Sequence, residues 1–191
     1  DRKQKGYQAA LAAAGQQRTQ AEGAIRTLEA NARRLRDLIK ILTRRPDTTP
    51  LPPPRLPGGN KPWPLAGVGR AQVIRPFGSY QHPEYHVQVS SNGIDISVAR
   101  GSTVKSIAAG TVVEVTNMQG YGTTLVIDHG NGAMSVYAYL GGMSVAKGAR
   151  VAAGQAIGTT GVRPDDNIAA LHLETYSNGT PQNPLGWLVA R

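Results

Sequence analysis

Chemistry in this 191-residue chain has few places to sit, because it holds four histidines (His82, His86, His129 and His172) and no cysteine. Without cysteine, neither a disulfide framework nor a thiolate metal site can form. The stretch from Ala170 to Tyr176, ALHLETY, alternates in the manner of a strand and places Ala170, His172 and Glu174 on one face. It carries one histidine where a metal site would want two. A catalytic zinc ion normally takes three protein ligands and keeps a fourth position for the water it acidifies.

Two further stretches hold groups of the same kind. One is Ser91-Asn92-Gly93-Ile94-Asp95 and the other is Tyr137-Ala138-Tyr139-Leu140, in which Tyr137 and Tyr139 are expected to share a strand face. His82 and His86 lie upstream of Ser91 and read most simply as loop residues, although a loop swing would bring one toward Asp95. His129 falls in the turn-like His129-Gly130-Asn131-Gly132 and is expected to bond locally.

These groups need elements to position them. From residue 65 onward, short apolar runs alternate with glycine-rich turns, which predicts strands over 71–76, 93–98, 103–108, 110–116, 123–128, 133–140, 150–151, 156–159 and 171–176. Many short strands with no intervening helix predict a mainly β, antiparallel domain over 65–191. Residues 1–45 differ in character. Leu11, Ala14, Ala21, Ile25, Leu28, Ala32, Leu35, Ile39 and Leu42 follow alternating three- and four-residue steps, the seam of a long coiled-coil helix. Its stripe is thin in the first half and strong in the second, so Ile25, Leu28, Leu35, Ile39 and Leu42 require a partner surface. Pro46 ends the helix, and the proline-rich residues 46–64 read as an extended linker.

The net charge of +9 is concentrated in that helix, since residues 1–45 hold eleven basic and four acidic side chains. No aromatic interleaving or nucleic-acid module accompanies the charge, so nucleic acid is not an expected partner. No run approaches the ~18 apolar residues of a membrane span, and no signal-peptide pattern is present.

The three stretches together resemble the LytM or lysostaphin-type zinc peptidases, which cut peptide cross-links in bacterial cell walls. In that family the first motif is His-x-Gly-x-Asp, and here Gly93 and Asp95 are kept while Ser91 replaces the histidine. The family's Tyr-x-His-Leu appears with Tyr139 at its histidine, and its His-x-His appears with Ala170 at the first histidine and His172 at the second. The resemblance implies that only Asp95 and His172 survive of the three zinc ligands. It also implies that Ala170 replaces the general base and Tyr139 the oxyanion-stabilising histidine. A phenol with a pKa near ~10 is a poor base at neutral pH, so the resemblance implies a peptidase groove without its catalytic machinery, no cofactor and no enzyme activity.

A coiled-coil segment, a linker and a degenerate LytM-like domain resemble the EnvC-type murein hydrolase activators. That resemblance implies a non-catalytic activator of a cell-wall amidase, itself the zinc enzyme, in cell division and separation. It implies contact through the vestigial groove, a coiled coil joined to a division-associated membrane complex, and a periplasmic or otherwise extracytoplasmic, exported protein whose signal segment is not in this chain. Peptidoglycan is a further expected partner. The expected partner surface is Ser91, Asp95, Tyr121, Tyr139, His172 and Tyr176, exposed along the groove. Two alternatives stand beside it: an active zinc endopeptidase and a passive peptidoglycan-binding module. The helix is expected either to fold back over the groove or to pair with a second chain.

Overall fold

The computed structural model describes residues 2–43, 60–81 and 88–190. A single long helix, α1 (Arg2–Thr43), precedes a run of strands: β1 (Val73–Arg75), β2 (Gly78–Gln81), β3 (Gln88–Ser91), β4 (Gly93–Ser97), β5 (Thr103–Lys105), β6 (Gly110–Met118), β7 (Gly122–Gly130), β8 (Ala133–Met143), β9 (Arg150–Val151), β10 (Ala156–Val162), β11 (Ala169–Ser177) and β12 (Thr180–Gln182). All strand pairings are antiparallel. The main sheet runs β1-β4-β11-β10-β8-β7-β6-β9, with β11 also paired to β8, and β2 and β3 form a separate hairpin.

The two-residue period of the strands divides their side chains between two apolar layers. Ile94 and Ile96 of β4, Leu125 and Ile127 of β7, Tyr137 of β8, and Leu171 and Leu173 of β11 enter one core with Trp63, Leu65 and Trp187. The opposite face presents Val126, Val136, Ala138, Ala170 and Tyr176, and α1 lies on it with Leu35 and Ile39 fully buried. The second half of the heptad seam is thus satisfied by the chain's own sheet. The first half is not, since Tyr7 is 71% and Leu11 56% exposed. Sequence alone gives an apolar stripe but not the surface that covers it.

Several expectations need correction. The run predicted over 71–76 begins as a 3-10 turn and is extended only over Val73–Arg75. The run predicted over 103–108 stops at Lys105, where the chain curls and the Ser106 hydroxyl donates to the Ala108 carbonyl at 2.6 Å. The strands expected at 110–116, 123–128, 133–140 and 156–159 are longer, while β2, β3 and β12 were not expected because their composition is polar and short. Residues 61–64, expected as linker, are built into the domain: Lys61 bridges Leu188, and the indole of the buried Trp63 donates to the Val189 carbonyl at 2.9 Å. The rest of that stretch up to residue 59, with Pro46, lies outside the described residues, as do His82 and His86.

Tyr137 and Tyr139 do not share a face. Tyr139 has a left-handed backbone (φ 61°), and β8 carries an extra residue relative to β7 between the pairs Leu125↔Tyr137 and Thr123↔Leu140. This bulge sends Tyr137 into the main core and leaves Ala138 and Tyr139 together on the α1 side. His129 is also not a local turn residue. It lies within β7, with Nδ1 2.8 Å from the Ala109 carbonyl and Nε2 2.7 Å from the Ser135 hydroxyl.

Candidate functional site

The site is assembled by the pairing of β4 with β11, which places His172 directly across from Asp95. Gly93 permits this close approach, because a Cβ there would collide with the Leu173 carbonyl oxygen. Odd-numbered Asp95 and even-numbered His172 both project to the α1 side, opposite the Ile94, Ile96, Leu171 and Leu173 side chains in the core.

The imidazole of His172 lies between two carboxylates. Nδ1 is 2.5 Å from Asp95 Oδ1, and Nε2 is 3.0 Å from Glu174 Oε1. Ionised carboxylates only accept, so both ring nitrogens carry protons and donate. Burial alone would depress the imidazole, but the Asp95 and Glu174 carboxylates reverse this and push it up to about 9. Glu174, fully buried, also accepts from the phenols of Tyr121 at 3.2 Å and Tyr176 at 2.6 Å. Burial comes first among the causes that raise both phenols, with the Glu174 charge next. The rings of Tyr121 and Tyr139 flank the imidazole, with centroids 5.3 Å and 5.5 Å away.

Asp95 has a second set of partners that sequence reading missed. Arg163 Nη1 is 2.9 Å and Arg75 Nη1 3.6 Å from Asp95 Oδ2. Arg163 leaves β10 in the connection to β11, where its Nε donates to Asp166 Oδ1 at 2.9 Å and its Nη2 to Asp166 Oδ2. Arg75 donates to Asp165 at 2.8 Å. Burial would raise the Asp95 carboxyl, but the His172 hydrogen bond and the arginine charges hold it below its ordinary value. The only sequence signal was the run Arg163-Pro164-Asp165-Asp166, which reads as an ordinary charged turn.

Ser91, Asp95, Tyr121, Tyr139 and His172 line one small cavity of about 60 Å³, and Tyr176 lies beside it. The expectation that these residues form an exposed surface is corrected: Asp95, Tyr121, Tyr139, His172 and Tyr176 are all buried, and only Ser91 is partly open. The cause is α1, whose Ile25, Leu28, Asn31 and Ala32 close the same cavity. Ala170 is fully buried and belongs to the same apolar cluster as Leu35, Ile39, Tyr139 and Tyr176.

These residues do not fit zinc. Both His172 nitrogens are engaged as donors, both Asp95 oxygens face cationic or N–H partners, and the Ser91 hydroxyl donates to the Gly93 carbonyl at 2.9 Å. Among the described residues, no group of three or more histidine, cysteine or acidic side chains is placed to hold a metal ion.

Residues 89–184 match the model of peptidase family M23. The chain belongs to this family. It is 33% identical over 132 residues to the murein hydrolase activator EnvC of Escherichia coli, covering 69% of this chain and 30% of that protein. It is 34% identical over 114 residues to the DD-carboxypeptidase/endopeptidase Mpg of Neisseria meningitidis, covering 60% of this chain and 26% of that protein. Among solved structures it resembles Csd3 of Helicobacter pylori, with a TM-score of 0.56 and 29% identity over 70% of this chain and 34% of that one. The chain thus spans under a third of the length of either curated relative. In this M23 chain the fold is kept, while Ser91 stands at the histidine position of the first motif and Ala170 at the first histidine position of His-x-His.

Proposed function

We propose that this chain is a non-catalytic activator of a peptidoglycan amidase, acting by protein contact through the vestigial peptidase groove, with α1 as the element that covers the groove at rest. The observation that carries this reading is the seating of Leu35 and Ile39, both fully buried, on the layer formed by Tyr121, Tyr139, Ala170 and Tyr176. A groove that carries aromatic side chains but an incomplete set of metal ligands is still a recognition surface, since binding needs shape and satisfied polar groups rather than a metal. The similarity to EnvC supports an amidase as the partner class. Such a partner acts on cell-wall peptidoglycan, which lies outside the cytoplasmic membrane. The exposed first half of α1, with Tyr7 and Leu11, is the segment we assign to a division-associated membrane complex.

The test is Leu35→Asp/Ile39→Asp in the full chain, mixed with zinc amidases and labelled cell wall. Release of α1 is expected to raise amidase turnover above the level given by the unaltered chain. If no amidase responds to either form while the domain stays folded, the activator reading falls. The similarity to Mpg favours one second reading, an active zinc endopeptidase. It predicts tightly held zinc and release of cross-link peptides from purified cell wall by this chain alone.

A further inference from the structure

We propose that the guanidinium of Arg163 is a fixed cation standing where a divalent metal would otherwise neutralise Asp95, so that this site is closed to metals by charge as well as by its missing ligands. Asp95 is 1% exposed and would be costly to bury without compensation. In an M23 site a zinc ion would supply that compensation. Here Arg163 Nη1 approaches Asp95 Oδ2 at 2.9 Å, and Arg75 stands behind it at 3.6 Å.

Arg163 is held in place rather than merely adjacent. It is 5% exposed, and its other fork edge is clamped by Asp166, with Asp165 Oδ1 3.2 Å from Nε. The loop that carries it is closed by two backbone bonds, Arg163 N–H to the Ile168 carbonyl and Asn167 N–H to the Arg163 carbonyl, both 2.9 Å, with Asn167 in the left-handed region (φ 61°). A planar fork anchored on one edge is directed by the other. A guanidinium stays charged at every working pH, so no change of conditions withdraws it. A divalent ion bound to Asp95 would meet that charge at short range in a buried setting, where screening is weak.

Ligand count and charge can be separated by experiment. Ser91→His restores a histidine at the first-motif position, whose side chain borders the same cavity as Asp95 and His172. Zinc titration by calorimetry is expected to show no binding to Ser91→His while Arg163 is intact, and one ion per chain for Ser91→His/Arg163→Gln. Zinc on Ser91→His alone, or none on the double variant, overturns the barrier. A stability arm reads the compensating role directly. Arg163→Gln is expected to lower the thermal midpoint by on the order of 10 °C, and Asp95→Asn/Arg163→Gln to recover most of that loss. An unchanged midpoint for Arg163→Gln, or a double variant no more stable than the single one, overturns it. If Arg163→Gln does not fold, a folded double variant supports the compensating role, and a double variant that also fails to fold overturns it. Neither arm involves an amidase, so the outcome is independent of the activator reading.

Discussion

His172 faces Asp95 across the β4–β11 pairing with Nδ1 2.5 Å from Oδ1, and the same ring reaches Glu174 through Nε2. An imidazolium bonded to two carboxylates in a buried layer is a structural cation, and its loss leaves acidic groups facing each other. His172→Ala is expected to cost about 3–5 kcal/mol, the scale for breaking a buried ion pair by deleting one partner. Urea unfolding followed by circular dichroism checks this, and a loss under about 1 kcal/mol would show that His172 contributes no more than an exposed pair does.

The two halves of α1 are expected to respond differently. Leu35 is fully buried against the sheet and Leu11 is 56% exposed. Leu35→Asp should detach the second half of the helix, because a lone buried carboxylate on an apolar layer is not tolerated. Hydrogen exchange at α1 amides and at the newly uncovered Tyr121 and Tyr139 should then accelerate by at least tenfold. Leu11→Asp should leave both unchanged.

Asn31 is 3% exposed, and its Nδ2 has no hydrogen-bond partner in the structure. It faces Gly120, where a Cβ would come within 2.6 Å of that nitrogen. An unsatisfied buried amide costs ~1–3 kcal/mol, which weakens the docking of α1. Asn31→Leu, similar in volume and apolar, is therefore expected to slow exchange along the second half of α1 and, in an amidase assay, to reduce activation. Faster exchange in the variant would show that the amide is satisfied in solution.

Much of this was legible in sequence, and the failures have physical causes. The strands that cross the sheet interior were readable because Ile94/Ile96 and Leu171/Leu173 alternate with polar or small residues and Leu125-Val126-Ile127 is a short apolar run between turn signals. The face of His172 followed from the same period. The bulge at Tyr139 was not readable, since a left-handed tyrosine leaves no compositional mark. Nor was the role of Arg163, whose partner Asp95 is 68 residues away in the chain. The helix was evident from its heptads, but a stripe such as Leu28, Leu35, Ile39 and Leu42 suits a partner helix and a sheet face equally well. That ambiguity is why the sequence left two outcomes for the helix, folding back over the groove or pairing with a second chain.

The half-buried His129 and the buried His172 should shape the pH dependence of stability in opposite directions. His129 is lowered from its ordinary value, chiefly by burial. Its folded pKa lies below its unfolded one, so its neutral form favours the fold. That advantage is complete above the unfolded pKa of ~6.5 and shrinks as the pH falls through it. His172 is raised to about 9. Its charged form favours the fold, an advantage present in full below ~6.5 and lost as the pH rises through about 9, on the order of 3 kcal/mol between the limits. Denaturant midpoints across pH 5 to 10 should therefore fall on both sides of neutrality. His129→Gln should flatten the acid limb and leave the alkaline one, which assigns each limb to its own histidine. An alkaline limb that also disappeared in His129→Gln would show that His172 is not the group titrating there.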